Sequence, residues 1–231
     1  MPRKLGTIYP NAMKKGIYIR TDELLEAIKA LEVYLSNLRR VKRDRYYWKW
    51  AIIALHNSVQ GFMVSALRGT NGLAVLTPEC ARAWMDAYRN RTPYPKEKLD
   101  DFLNLYKKIK SNLMLQYGQS KKFTPKGQQG WSIKKLNALR NEFIHFTPKG
   151  WSLEVSGLPS ICEDLLSIID FLANSSGNID FYQQSAEKRF RAICDVIASN
   201  KHGGLVMGRK VFTPKGSSVY GLIVCRGTLR T

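Results

Sequence analysis

The sequence predicts an all-α fold, a bundle of about five to six helices with a short β-hairpin or turn insertion. Apolar residues recur at steps of three and four along most of the chain, the period of a helix with one buried face. Capping residues and prolines stand where several of these periodic segments begin. The 231 residues are 44% hydrophobic, which is enough to build a core. We therefore expect one helical domain at residues 1–200 and an irregular extension, of unassigned role, at residues 201–231.

Two long helices are predicted first. Thr21 or Asp22 can cap a helix that runs to Leu38. Its apolar residues follow alternating steps of four and three: Leu24, Ile28, Leu31, Leu35 and Leu38. A second helix from Arg45 to Leu67 is apolar on most sides. Residues 50–67 carry no charge, but they include polar side chains and are shorter than the ~20 apolar residues that a membrane span needs. We expect this helix to be buried at the centre of the bundle and expect no membrane association.

The later elements follow from turn and cap signals. Thr77 with Pro78 is typical of a helix N-terminus. The predicted elements after it are a helix to Asn90, a helix from Pro95 to Tyr117, a helix from Ser132 to Phe146, a short strand at residues 151–155, a helix from Pro159 to Asn174, and a last helix ending near Asn200. In the extension, a V-Y-G-L-I-V run indicates a small hairpin or a loosely attached tail.

The charge balance points to a polyanionic partner. The chain has 37 Lys and Arg against 18 Asp and Glu, a formal net charge of +19. Nucleic acid is the first expectation, ahead of an anionic membrane surface or an acidic protein.

The number and spacing of the cysteines and histidines indicate which cell compartment and which cofactors to expect. The four cysteines form no C-x-x-C pair and only three histidines are present, which argues against a zinc site and for a reducing compartment. The first residues lack the apolar core of a signal peptide. We expect a cytoplasmic protein with no metal and no cofactor.

The segment L-N-A-L-R-N-E-F-I-H carries the candidate chemistry. Arg140, Asn141, Glu142 and His145 stand together near the end of one predicted helix. Carbonyl groups at a helix C-terminus favour a protonated imidazole, and Glu142 is spaced to contact His145. A cation and an imidazole suit phosphate chemistry. The alternative is a solvated arginine beside a capping histidine.

This segment resembles the signature of the HEPN superfamily, an Arg followed by a polar residue and then a His, late in a helical bundle. The resemblance covers residues 21–200 and implies a HEPN-like bundle. It also implies a metal-independent endoribonuclease, commonly dimeric, in which Arg140 and His145 are catalytic and Asn141 orients Arg140 or the phosphate. Such proteins include toxins restrained by an antitoxin or regulatory protein and antiviral effectors. We expect RNA, a second copy of the chain and a restraining protein as partners.

Further residues are candidates for supporting roles. His56 either reaches the groove beside Arg140 or belongs to a buried polar group. Basic residues precede the second helix, with aromatic residues that either stack on bases or begin the core face; the cations are Arg39, Arg40, Lys42 and Arg43.

The pentapeptide F-T-P-K-G begins at Phe123, Phe146 and Phe212. Its first two copies flank the predicted Arg140 helix, so Lys126 and Lys149 are either phosphate anchors near the site or parts of plain turns.

Three functions therefore remain open from the sequence. The chain is a ribonuclease, a non-catalytic RNA- or nucleotide-binding protein of the HEPN fold, or a basic protein-interaction scaffold.

Overall fold

A computed structural model describes residues 17–145, 148 and 150–199 of the chain. These residues form seven α-helices, and among them no β-strand is present. The helices are α1 (Glu23–Arg40), α2 (Tyr47–Arg68), α3 (Pro78–Asn90), α4 (Phe102–Ile109), α5 (Gln129–Ile144), α6 (Leu158–Asp170) and α7 (Gln184–Ser199). The all-α prediction is confirmed, with seven helices rather than five or six. The predicted C-terminal hairpin and the extension at residues 201–231 lie outside the described residues.

Helix α2 is the centre of the bundle. It packs against α1, α4, α5 and α6, and its side chains are buried on most sides. By length and apolarity alone it meets the criterion for a membrane span, but 61% of its most apolar window is buried by the rest of the protein. The predicted central, buried helix is therefore observed.

The predicted caps hold at two helices. Asp22, not Thr21, caps α1, because its carboxylate accepts a hydrogen bond from the backbone N–H of Leu25 at 2.7 Å. Thr77 caps α3 and Pro78 is its first residue.

The helix predicted from Pro95 to Tyr117 is wrong in its bounds. Helix α4 begins only at Phe102, and a 3₁₀ turn, Asn112–Met114, follows it. The buried carboxylate of Asp100 lies 2.7 Å from the ammonium of Lys108. It also accepts hydrogen bonds from the backbone N–H of Asp101, just before α4, and from the side-chain amide of Asn104 in its first turn. Leu99 forms an isolated bridge with Leu76, which holds the preceding segment in an extended conformation.

Helix α5 begins three residues earlier than predicted. The side chain of Gln129 accepts a hydrogen bond from the backbone N–H of Lys126, which stabilises the first turn. Ser132 is not a cap. Its hydroxyl is buried and donates to the carboxylate of Asp164 in α6.

The strand predicted at residues 151–155 does not form within the described part of the chain. This segment has no regular secondary structure and pairs with no strand among the described residues. Its alternation instead directs Leu153 and Val155 against the core, while the ring of Trp151 contacts Phe143 with 5.4 Å between centroids.

Helix α6 also departs from the prediction. Its α-helical part ends at Asp170, and the backbone continues as a π-helical turn over Phe171–Ser175. Helix α7 ends at Ser199, so the described residues stop one residue before the predicted domain boundary.

Gly61 permits a close approach of α1 and α2. A Cβ atom at Gly61 would lie 2.7 Å from the Cβ of Ala27 and 3.0 Å from the carbonyl oxygen of Glu23. Gly61→Ala should therefore lower the free energy of unfolding by about 1–3 kcal/mol, because the two helices must move apart. Urea denaturation of the purified chain measures this loss.

Gly118 supplies the control for that substitution. Its added Cβ would meet no atom within 4 Å and its φ is not positive, so Gly118→Ala should change stability by less than about 0.5 kcal/mol. Equal losses for the two variants would contradict this account of the α1–α2 contact.

Candidate functional site

Helix α5 holds the candidate catalytic residues at its C-terminal end. Ile133, Leu136 and Leu139 are buried between α5 and its neighbours α2 and α6. Arg140 is half-buried, whereas Asn141, Glu142 and His145 are exposed. The buried stripe therefore fixes α5 against the bundle while its last turn faces solvent.

His145 is the residue at which α5 ends. Its backbone N–H donates to the carbonyl of Asn141 at 2.8 Å, and its φ and ψ of −93° and 68° are no longer helical. The helix thus ends two residues before the predicted Phe146. On an ideal helix Arg140 and His145 are separated by about 7.5 Å of axial rise, so both belong to the same end of α5.

Arg140 is oriented by its neighbour. Its Nη1 donates a hydrogen bond to the side-chain oxygen of Asn141 at 3.1 Å. Its Nε is buried and, within the described part of the chain, has no hydrogen-bond partner. The guanidinium therefore has an inner edge inside the protein and an outer end at the surface.

The outer end of Arg140 lines a groove along α1 and α2, which we call the α2 groove. Its volume is about 910 Å³, and Arg40, Tyr47, Trp50, Asn57 and Gln60 line it together with Arg140. Trp50 is 52% exposed, and the guanidinium of Arg40 lies 5.5 Å from the centroid of the Tyr47 ring. With Lys29 and Asn37, three cations, two aromatic rings and three amides share this open surface, and the carboxylates of Glu23 and Glu26 line it as well.

His56 belongs to the interior. It is 2% exposed, its ring stacks on Phe102 with 3.9 Å between centroids, and its Nε2 lies 3.1 Å from the side-chain oxygen of Asn137. Burial lowers the pKa of His56 to about 4 despite the hydrogen bond with Asn137, and the nearby charge of Arg140 lowers it further. His56 is therefore a buried polar contact between α2 and α5, and it does not open onto the α2 groove.

The other predicted cations are dispersed. Arg39, Lys42 and Arg43 are exposed and do not line the α2 groove. Of the four cations predicted to bind RNA before α2, only Arg40 lines it. Lys126 precedes the first turn of α5, a helix of 16 residues, so about 24 Å of helix separates it from the end that carries His145. Lys126 is thus not beside the candidate site, and Lys149 lies outside the described residues.

The aromatic residues before and within α2 divide between the two roles foreseen for them. Trp48 is buried in the core, whereas Tyr46 and Trp50 are exposed.

Sequence reasoning missed Asn137, which connects α5 to His56. A signal was present, because Ile133, Asn137 and Arg140 follow helical steps of four and three and therefore share one side of α5. An amide on that side indicates a polar partner on the neighbouring helix.

Among the described residues, no group of three His, Cys, Asp or Glu side chains is placed to hold a metal ion. No protein-family model, curated protein or solved structure matched the chain when each was compared with it. The features of the chain that bear on its function are therefore the geometry around α5 and the motif at Arg140 and His145.

Titration of His56 tests its burial. Because the folded pKa of about 4 lies below the ordinary value of 6.5, the unfolded chain binds a proton at this ring between these two pH values that the folded chain does not bind. The stabilising contribution should be complete above pH 6.5 and should fall by up to about 3 kcal/mol as the pH approaches 4.

NMR of the ring protons measures the pKa directly, with His56→Gln to assign the signal. The same variant should show a smaller loss of stability between pH 7 and pH 4.5 than the wild type. A His56 signal that titrates near pH 6.5 would show that the ring is solvated and that the contact with Asn137 is wrong.

Proposed function

We propose that the chain is a metal-independent endoribonuclease of the HEPN type that acts in the cytoplasm as a toxin or antiviral effector. The observation that carries the proposal is the shared position of Arg140 and His145. Both lie at the solvent-facing end of α5, and Arg140 lines the basic and aromatic α2 groove. A buried Arg140 or a buried His145 would have excluded this function.

Arg140 binds the scissile phosphate. A guanidinium presents a planar set of donors that matches two phosphate oxygens, and it stabilises the charge that builds on them in the transition state. The hydrogen bond to Asn141 limits the rotation of this side chain before substrate arrives. Less ordering is then required when the phosphate binds.

His145 transfers the proton. Its imidazole removes the proton of the ribose 2′-hydroxyl, the 2′-oxygen attacks phosphorus, and the bond from phosphorus to the 5′-oxygen breaks. The leaving 5′-oxygen takes up a proton from a second acid. The products are a 2′,3′-cyclic phosphate and a 5′-hydroxyl, and DNA is not cleaved because it has no 2′-hydroxyl.

A homodimer supplies the second acid. In the HEPN resemblance, the Arg and His of two copies face one cleft, so one His145 acts as the base while the other protonates the leaving oxygen. Glu142, exposed on the last turn of α5, is spaced three residues from His145 and would orient the ring. A separate restraining protein would keep the activity in check.

Cleavage of RNA tests the proposal. His145→Ala and Arg140→Ala should each lower the rate of cleavage about 100-fold or more in the presence of EDTA, because general acid–base catalysis and charge stabilisation each contribute at least that much. The assay follows single-stranded RNA on gels and identifies the product ends by their sensitivity to phosphatase and kinase.

Arg89→Ala is the matched control, because Arg89 is an exposed arginine on α3 that does not line the α2 groove. It should cleave RNA like the wild type. If the wild type leaves RNA intact but binds it, and His145→Ala binds equally well, the chain is a non-catalytic RNA-binding protein. No binding of RNA at low salt would favour the protein-interaction scaffold.

The α2 groove makes a second prediction about RNA binding. Arg40→Ala should weaken binding of single-stranded RNA and reduce the slope of log affinity against log salt concentration by about 0.7, because one phosphate contact is lost. The adjacent Arg39, which is exposed but does not line the groove, is the control. Equal effects of Arg39→Ala and Arg40→Ala would show that RNA does not distinguish the groove from the surrounding basic surface.

A further inference from the structure

A second cavity lies on the other side of the contact between α2 and α5. Its volume is about 290 Å³, and we call it the aromatic pocket, defined by Tyr46, Trp48, Lys49, Phe143, Trp151 and Val155. Trp48 is 6% exposed and forms its inner wall, whereas Tyr46 is 78% exposed and Trp151 37% exposed at its mouth. A planar group that enters the pocket can therefore contact the exposed faces of these aromatic rings.

The position of this pocket relates it to Arg140. Phe143 follows Arg140 by three residues on α5, so the two side chains are neighbours on the helix surface with about 4.5 Å of rise between them. A phosphate at Arg140 thus places an adjoining base within reach of the aromatic pocket.

The first turn of α2 separates the two cavities. Tyr47 and Trp50 line the α2 groove, whereas Trp48 and Lys49 line the aromatic pocket. Lys49 lies at the boundary, because its ammonium is 5.2 Å from the centroid of the Trp50 ring. An extended strand that crosses this turn meets aromatic rings on both sides and a cation between them.

The residues that line the aromatic pocket favour a nucleotide as its ligand, that is, a base that carries a phosphate. Its walls are aromatic and aliphatic, and its charged lining residues, Arg45 and Lys49, are both cations. Cations beside stacking rings are the combination by which proteins bind unpaired nucleotides, whereas an apolar peptide would leave both charges without a partner. The volume is near the lower end of the range of small-molecule sites, about 300–1,000 Å³, and suits one base rather than a folded segment.

We propose that the aromatic pocket binds one unpaired base of the RNA, next to the phosphate held by Arg140. This assignment rests on the proposed function in that RNA is taken as the substrate. The base stacks on the exposed face of the Trp151 ring, which Phe143 supports from the side, with its phosphate against Lys49 and Arg45. The enzyme consequently requires single-stranded RNA at the cleavage site, because a paired base cannot enter the pocket.

Fluorescence of a 2-aminopurine base in a short single-stranded RNA tests the pocket. The His145→Ala chain is used for binding, so that the RNA stays intact. Stacking should quench the fluorescence of the probe, and Trp151→Ala should abolish the quenching and lower RNA affinity about tenfold or more, since stacking on a single aromatic residue contributes about that much. Trp151→Phe should retain most of both, because it keeps an aromatic face.

Trp131→Ala is the matched control. Trp131 is also an exposed tryptophan on the segment after an F-T-P-K-G copy, but it lies at the opposite end of α5. It should leave quenching and affinity unchanged. Val155→Trp gives an independent check, because a larger side chain fills the pocket without removing any aromatic wall, and circular dichroism establishes that each variant is folded.

The outcomes separate this proposal from the nuclease. Unchanged quenching and affinity in folded Trp151→Ala and Val155→Trp would overturn the pocket assignment, as would equal losses in Trp131→Ala. If the wild type fails to cleave RNA while Trp151→Ala still loses quenching, the nuclease proposal fails and the pocket assignment holds.

Discussion

The packing of α5 against the central helix α2 positions the candidate chemistry. The contact is apolar where Leu136 and Leu139 are buried and polar where His56 meets Asn137. Burial keeps the His56 ring uncharged, because a charged ring at this depth would lack solvation, although the hydrogen bond with Asn137 acts in the opposite direction. Because Asn137 and Arg140 lie on one side of α5, this contact also sets the rotation of the helix that presents Arg140 to the α2 groove.

The close approach of α1 and α2 also affects the α2 groove. Gly61 lines the α2 groove and brings the backbones of the two helices together. Larger side chains line the groove around it, among them Arg40, Tyr47, Trp50 and Arg140. Gly61 therefore belongs both to the contact between α1 and α2 and to the surface of the groove.

The helices and the motif were predictable because their signals are local. Asp22, Thr77 and Pro78 act within one turn, and the apolar stripes follow from the helical period alone. The errors come from long-range contacts. The buried pair Asp100–Lys108 lies just before the point at which α4 begins. Ser132 donates its hydroxyl to Asp164 and does not cap α5. Trp151 packs on Phe143, and its segment does not pair as a strand.

The candidate site shows the same contrast between local signals and long-range contacts. The candidate residues Arg140 to His145 were chosen by the resemblance of their motif, since their spacing alone left open a solvated arginine beside a capping histidine. The sequence did not indicate which cations lie near them. Lys126 adjoins α5 in sequence and lies at its far end, whereas Arg40 is 100 positions before Arg140 and shares a groove with it. Which of the many exposed cations lies near the candidate site depends on how the chain folds. The net charge of +19 gives no information about their positions.

Arg140 has a structural cost that supports a functional role. Its Nε is buried without a hydrogen-bond partner among the described residues, and an unsatisfied buried donor typically costs about 1–3 kcal/mol. A lysine, which has no such inner donor, would present a charge to the α2 groove without this cost. What a lysine cannot supply is the planar pair of outer donors, one of which Asn141 already holds in place. Arg140 therefore costs more stability than a lysine would at this position, but only the arginine offers two donors in the geometry that a phosphate needs. Stability alone does not explain an arginine here.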